Sequence, residues 1–123
     1  MEQGIPAAIR KRWDQWDSDD REWLVAFRRA LCEQYAGAVT RAVLFGSLAR
    51  GEQTEDSDID VLVIVRDEAA DTTSAIETTG SRLSLQSKAL GSVIAVTTSE
   101  WAARAAARTR WHHDVETHGV SIL

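Results

Sequence analysis

A single cysteine, Cys32, leaves no partner for an internal disulfide and no thiolate set for a Cys-rich zinc site. A single proline, Pro6, and the absence of any Gly/Ser-rich stretch leave the chain without a linker, so one domain over residues 1–123 is expected. There is no internal repeat. No run of about 18 apolar residues exists, which excludes a membrane-spanning helix. The start, Met1-Glu2-Gln3-Gly4, lacks a basic stretch followed by an apolar one, so no signal peptide is expected. Positive charge is the minority: Lys and Arg number 14 against 19 Asp and Glu, a net charge of −5. An acidic chain lacks the footprint for wholesale binding of a nucleic-acid backbone. These absences predict a cytoplasmic protein with no membrane and no direct nucleic-acid contact.

What is present is ordinary globular material, 44% hydrophobic and 27% charged. A chain of this size buries roughly two-thirds of its unfolded surface, enough for one core. Two N-terminal helices are expected within residues 1–36, and a sheet with further helices over 42–123. Pro6 suits a first helical position, and Ile9, Trp13 and Trp16 form an apolar helical stripe behind it. The acidic cluster Asp17–Asp20 reads as the cap of a second helix, running from about Asp19 to Tyr35 and ending at Gly37. Arg41–Phe45 reads as a buried strand, Ser47–Arg50 as a helical turn closed by Gly51, and 52–57 as a polar loop. Asp58–Val65, rich in Val and Ile, is the clearest strand. Residues 67–90 suit one helix weakened at Gly80, or two pieces. Ser92–Thr97 reads as a third strand, and Thr97-Thr98-Ser99-Glu100 has the spacing of a capping box. A last helix near Arg110–Thr117 ends at Gly119, and Val120–Leu123 suits a terminal edge strand.

The chemistry lies in Gly46-Ser47, ten intervening residues, then Asp58-Ile59-Asp60. Residues i and i+2 of a strand share a face, so Asp58 and Asp60 aim two carboxylates the same way. Adjacent carboxylates repel, more so when partly buried, and a cation resolves the conflict. A carboxylate pair with open positions suits Mg²⁺, which takes waters and substrate phosphates as its other ligands. Gly46 allows a close backbone approach, the turn after it offers N–H groups to an anion, and the Ser47 hydroxyl can donate to a phosphate. Arg50, one turn on, can add charge-assisted contacts. A phosphate cradle facing a metal pair is what phosphoryl or nucleotidyl transfer requires. A lone Gly-Ser is a turn in most proteins, and a lone Asp-x-Asp is commonly a solvated loop or cap. It is the compound pattern of strand, Gly-Ser, short helix, loop and Asp-x-Asp strand that carries the reading.

The runs Val43-Leu44-Phe45-Gly46-Ser47-Leu48-Ala49-Arg50-Gly51-Glu52 and Asp56-Ser57-Asp58-Ile59-Asp60-Val61-Leu62-Val63 resemble the minimal nucleotidyltransferase (MNT) family. That family belongs to the DNA polymerase β-like nucleotidyltransferase superfamily. The resemblance implies an α/β (α+β) nucleotidyltransferase fold, a small mixed β-sheet flanked by helices. It implies that Asp58 and Asp60 hold Mg²⁺ and the nucleoside triphosphate while Gly46 and Ser47, assisted by Arg50, grip the phosphates. It further implies transfer of a nucleoside monophosphate, AMP from ATP, to a hydroxyl. Many small MNT proteins are antitoxins of a HEPN-type toxin, and such a partner is expected here. The alternatives are an inactive module that neutralises a partner by binding, and a small-molecule (antibiotic) nucleotidyltransferase. The last would need an acceptor pocket for which the 123 residues offer no obvious second domain.

One departure stands out. The family places a third carboxylate on a neighbouring strand, where it completes the metal site and can act as general base. Here the strand is Ser92–Thr97 and holds no acid; the equivalent position is Ile94, or Ala95 if the register shifts by one. Glu100 lies beyond the strand and suits a cap. The adjacent His112 and His113 point about 100° apart on a helix and suit surface roles, as does His118. The five tryptophans suit a core, with Trp13 and Trp16 as a partner surface if exposed, and Cys32 suits a buried small hydrophobe.

Overall fold

The computed structural model describes residues 4–52 and 58–123. The polar loop expected at 52–57 therefore lies, beyond Glu52, outside the described residues.

The Ile9–Trp13–Trp16 stripe forms, but not on one helix. Pro6 caps α1 (Ala7–Arg10) from an extended conformation, and a 3-10 turn (Trp13–Gln15) follows. All three stripe residues are buried, so Trp13 and Trp16 belong to the core and present no partner surface. The Asp17 carboxylate accepts the Asp19 N–H at 3.0 Å and opens α2 (Ser18–Gln34). The helix ends three residues before Gly37, at Gln34, with Tyr35 as its cap. Trp23, Leu24, Phe27, Ala30 and Leu31 make its buried face. Cys32 falls outside that arc and is exposed, which corrects the expectation of a buried thiol.

β1 (Val39–Phe45) leads into the short helix α3 (Ser47–Arg50), and β2 (Ile59–Val65) follows. Between β2 and β3 (Gly91–Thr97) lie a 3-10 segment (Asp67–Thr72) and α4 (Thr73–Ser87). The region thus forms two pieces, but the division falls at Thr72 and not at Gly80. Gly80 sits inside α4, where a Cβ would strike Val93, and its carbonyl accepts the Trp23 indole N–H at 3.1 Å. The capping box at Thr97 is realised: the Thr97 hydroxyl accepts the Glu100 N–H at 3.1 Å, and the Glu100 carboxylate accepts the Thr97 N–H at 2.9 Å. This opens α5 (Thr98–Ala106); α6 (Arg110–His118) and the edge strand β4 (Val120–Ser121) complete the chain.

The four strands order as β3-β2-β1-β4, with β2 and β3 parallel and the β1 pairings antiparallel. Strand alternation divides β2 between two cores. Ile59, Val61, Val63 and Val65 join Trp23, Phe27 and Ile76 beneath α2 and α4. Leu62 and Ile64 join Val43, Val96, Trp101 and Val115 beneath α5 and α6. This second cover reaches only the C-terminal half of β2, and Asp60 lies on the same face at the other end. Along the outer edge of β3, α4 supplies side-chain partners: Ser84 accepts the Gly91 N–H at 3.1 Å and Glu77 accepts the Ala95 N–H at 3.0 Å.

Candidate functional site

Antiparallel pairing sets Phe45 opposite Asp60, so the end of β1 delivers the Gly46 turn to the start of β2. Gly46 has φ 78° and ψ −158°, a region that is essentially glycine's alone. A Cβ built on it would lie 2.5 Å from Asp60 Oδ2. Two demands therefore fix a glycine here, the backbone and the carboxylate. Ser47 opens α3, Arg50 N–H donates to the Gly46 carbonyl at 3.2 Å, and Gly51 closes the turn in the left-handed region at φ 73°. The turn is braced from the N-terminal segment, where Arg12 Nη1 donates to the Ala49 carbonyl at 2.6 Å.

Asp60 is half-buried and Asp58 exposed. Burial first, and the Asp58 carboxylate second, push the Asp60 carboxyl above its ordinary value; Arg50 opposes them. An all-oxygen donor pair in mutual repulsion, on a face left open by α5 and α6, fits a hard divalent cation of the Mg²⁺ class.

Arg50 is placed differently from a free phosphate clamp. Its Nε donates to Glu52 at 2.7 Å, and its Nη1 lies 3.4 Å from Asp114 Oδ1 on α6. The Glu52 hydrogen bond, reinforced by Asp114, Glu52 and Asp60, holds its guanidinium charged. Asp114 was not legible as a site residue, because only the docking of α6 brings it to Arg50. Phe45 packs edge-on against Trp111, with ring centroids 6.1 Å apart.

The β2–β3 register sets Ser92 opposite Asp60 and Ile94 opposite Leu62, both on the Asp60 face; Ala95 faces the other way. Ile94 is 38% exposed. The chain thus carries the alkyl group of Ile94 at the position expected for the third acid, and the alcohol of Ser92 lies opposite Asp60 itself. Glu100 is committed to its capping box. Among the described residues, no cluster of three His, Cys, Asp or Glu could hold a metal. Asp56 lies outside the described residues. His112 is 3.6 Å from Glu116 on its own helix and remote in role from the aspartates.

A model of the nucleotidyltransferase domain family matches residues 24–101, well over half of the chain. Two proteins of Methanocaldococcus jannaschii, each named "putative protein adenylyltransferase", are similar to it. One is 50% identical over 38 residues, covering 31% of this chain and 38% of the relative. The other is 48% identical over 46 residues, covering 37% and 44%. The chain thus matches less than half the length of these curated relatives. The fold is similar to a crystal structure of a "putative nucleotidyltransferase" from Sulfolobus solfataricus, with a TM-score of 0.52 over 97% of this chain and 89% of that one. At 17% identity, that likeness speaks for the fold alone.

Proposed function

Because the chain belongs to the nucleotidyltransferase domain family, we propose that it is a Mg²⁺-dependent nucleotidyltransferase that moves AMP from ATP to a hydroxyl of a partner protein. The observation that carries this reading is the seating of the Asp60 carboxylate against Gly46 with Asp58 beside it. The names of the two archaeal relatives support a protein acceptor. In the reaction the acceptor oxygen forms a bond to the α-phosphorus. The bond from that phosphorus to the oxygen bridging the β-phosphate breaks, pyrophosphate leaves, and the acceptor proton passes to solvent.

Asp58 and Asp60 would hold the metal, and Mg²⁺ when bound supplies charge neutralisation at the phosphates. The chain's own residues do the positioning. Gly46 lets the triphosphate approach the backbone without a side chain in the way. Ser47 stands at the start of the turn as a donor to phosphate oxygen. Arg50 turns from Glu52 and Asp114 toward the more highly charged triphosphate. The partner favoured by the sequence resemblance is a HEPN-type toxin, with this chain as its antitoxin.

A second reading is favoured by one observation: Ser92 and Ile94 put no acid beside Asp60. On that reading the chain is a nucleotidyltransferase-like module that neutralises its partner by binding. Incubating the co-purified partner with α-labelled ATP and Mg²⁺ separates the two. Slow label transfer, abolished by Asp58→Asn with Asp60→Asn, supports the enzyme. Absent ATP binding together with full neutralisation by the double variant supports the binder.

A further inference from the structure

A groove with a cavity volume of about 350 Å³ opens directly beside Asp58, lined by Asp58, Ser81, Ser84, Leu85, Leu90 and Ser92. It lies at the N-terminal end of β3, where the Leu90 carbonyl accepts the Ile59 N–H at 2.8 Å. Two of its walls are large and apolar yet open to solvent: Leu85 is 86% exposed and Leu90 67%. Among the described residues, Asp58 is the only ionisable group on its lining. Two large apolar side chains left open on the wall of one groove beside a carboxylate are suited to contact with an apolar molecule.

The strand order gives this groove a direction. Gly46 and its turn sit on the β1 side of β2, and the groove sits on the β3 side, with the aspartates between them. Transfer from a triphosphate is an in-line displacement, so attacking and leaving oxygens lie on opposite sides of the phosphorus. If the pyrophosphate leaves over the Gly46 turn, the acceptor must enter from the β3 side. A larger cavity of about 560 Å³, between α5 and α6, is lined by Arg108, Arg110, His112 and His113 and touches neither aspartate. It does not offer that path.

We propose that the groove beside β3 receives the acceptor protein, with Leu85 and Leu90 anchoring an apolar segment that carries the hydroxyl to Asp58 and Asp60. The proposal rests on the nucleotidyltransferase reading above and adds to it where the acceptor docks and by what chemistry. Among the described residues the lining offers two leucines, three serines and the Asp58 carboxylate, so its larger contacts suit an apolar segment. The anchors are exposed, so their replacement leaves the core intact.

The test uses the full chain with methyl-labelled leucines, saturated with Mg²⁺ and α,β-methylene-ATP so that no transfer occurs. The probes are blocked peptides bearing one Tyr or one Ser, flanked either by leucines or by glycines. Leucine-flanked peptides should shift the Leu85 and Leu90 methyl signals, and glycine-flanked ones at equal concentration should not. L85S/L90S should lose about tenfold or more in affinity for the leucine-flanked peptide, the size expected of two contact anchors, and keep nucleotide affinity within about twofold. Unmoved leucine signals on a nucleotide-bound protein overturn the docking site and leave the transfer reading standing. A loss of nucleotide affinity in L85S/L90S overturns it too, by assigning the groove to the nucleoside. A wild-type chain that binds no nucleotide overturns the transfer reading, and this proposal with it.

Discussion

Asp60 holds its carboxylate in the space that a side chain on residue 46 would need, with Oδ2 2.5 Å from the Cβ position of Gly46. The strand that carries the charge and the turn that would meet the phosphates are thus fitted to each other. Gly46→Ala brings a collision and a backbone conformation foreign to alanine. It should cost about 1–3 kcal/mol of stability and lower transfer by about 10²-fold, the scale of an ångström's misplacement. Urea unfolding and initial rates of label incorporation measure the two effects.

The carboxylate pair carries a cost in the ligand-free protein, because burial and Asp58 both disfavour the charged form of Asp60. Asp58→Asn with Asp60→Asn should therefore raise the melting temperature at pH 7 while abolishing transfer. Thermal melts with and without Mg²⁺ and ATP check this. The wild type should gain stability from the nucleotide, as any ligand of the folded state confers, and the double variant should not.

The missing acid can be supplied. Ile94 is 38% exposed on the Asp60 face, so Ile94→Asp should fold and raise the rate, within the range of about 10²–10⁴-fold that general-base help gives. Ser92→Asp, opposite Asp60 in register, is the closer placement and should do so as well. Ala95→Asp points to the opposite face, against α4 and Glu77, and should yield a less stable protein with no gain in rate. Single-turnover rates of the three variants separate these outcomes.

Glu116 ties α6 to β1 and α5. Arg41 meets its carboxylate at 2.9 and 3.1 Å, and the Trp101 indole N–H donates to it at 3.2 Å. The Arg41 hydrogen bonds first, and Trp101 after them, hold its carboxyl below the ordinary 4.5. A depressed acid stabilises the fold at pH above its unfolded value, and the contribution fades as pH falls through the folded value. Glu116→Gln should cost about 0.5–1 kcal/mol at pH 7, as befits a half-exposed pair. That difference from wild type should shrink below pH 4.5, which paired denaturation curves across pH would record.

Gly91 begins β3 against the face of Trp23, leaving no room for a methyl group. Gly91→Ala should destabilise by about 1–3 kcal/mol through overpacking, read as a lowered urea midpoint with an unchanged slope.

Much of this was legible in the sequence because it is local. Cap chemistry placed α2 and α5, β-branched density placed β2, and the Gly46–Asp60 spacing marked the two segments that the β1–β2 pairing brings together. What escaped depends on tertiary packing. Trp13 and Trp16 are buried although their helix breaks after Arg10. Gly80 does not end α4; it is a packing glycine, with Val93 in the space a side chain would take. Cys32 is exposed, since hydrophobic character alone does not say which arc of α2 faces inward. Arg50 is legible as a cation, but its hold by Asp114 depends on how α6 docks, 64 residues away in the chain.

The outer rim of β3 bears on how this protein meets others. Ser84 and Glu77 already take the N–H groups of Gly91 and Ala95, two of the outward donors that a foreign strand would use to extend the sheet. An incoming chain finds those rungs occupied. Side-chain contacts are thereby favoured over strand addition on this flank, and the same two residues of α4 work against strand-by-strand polymerisation from that rim.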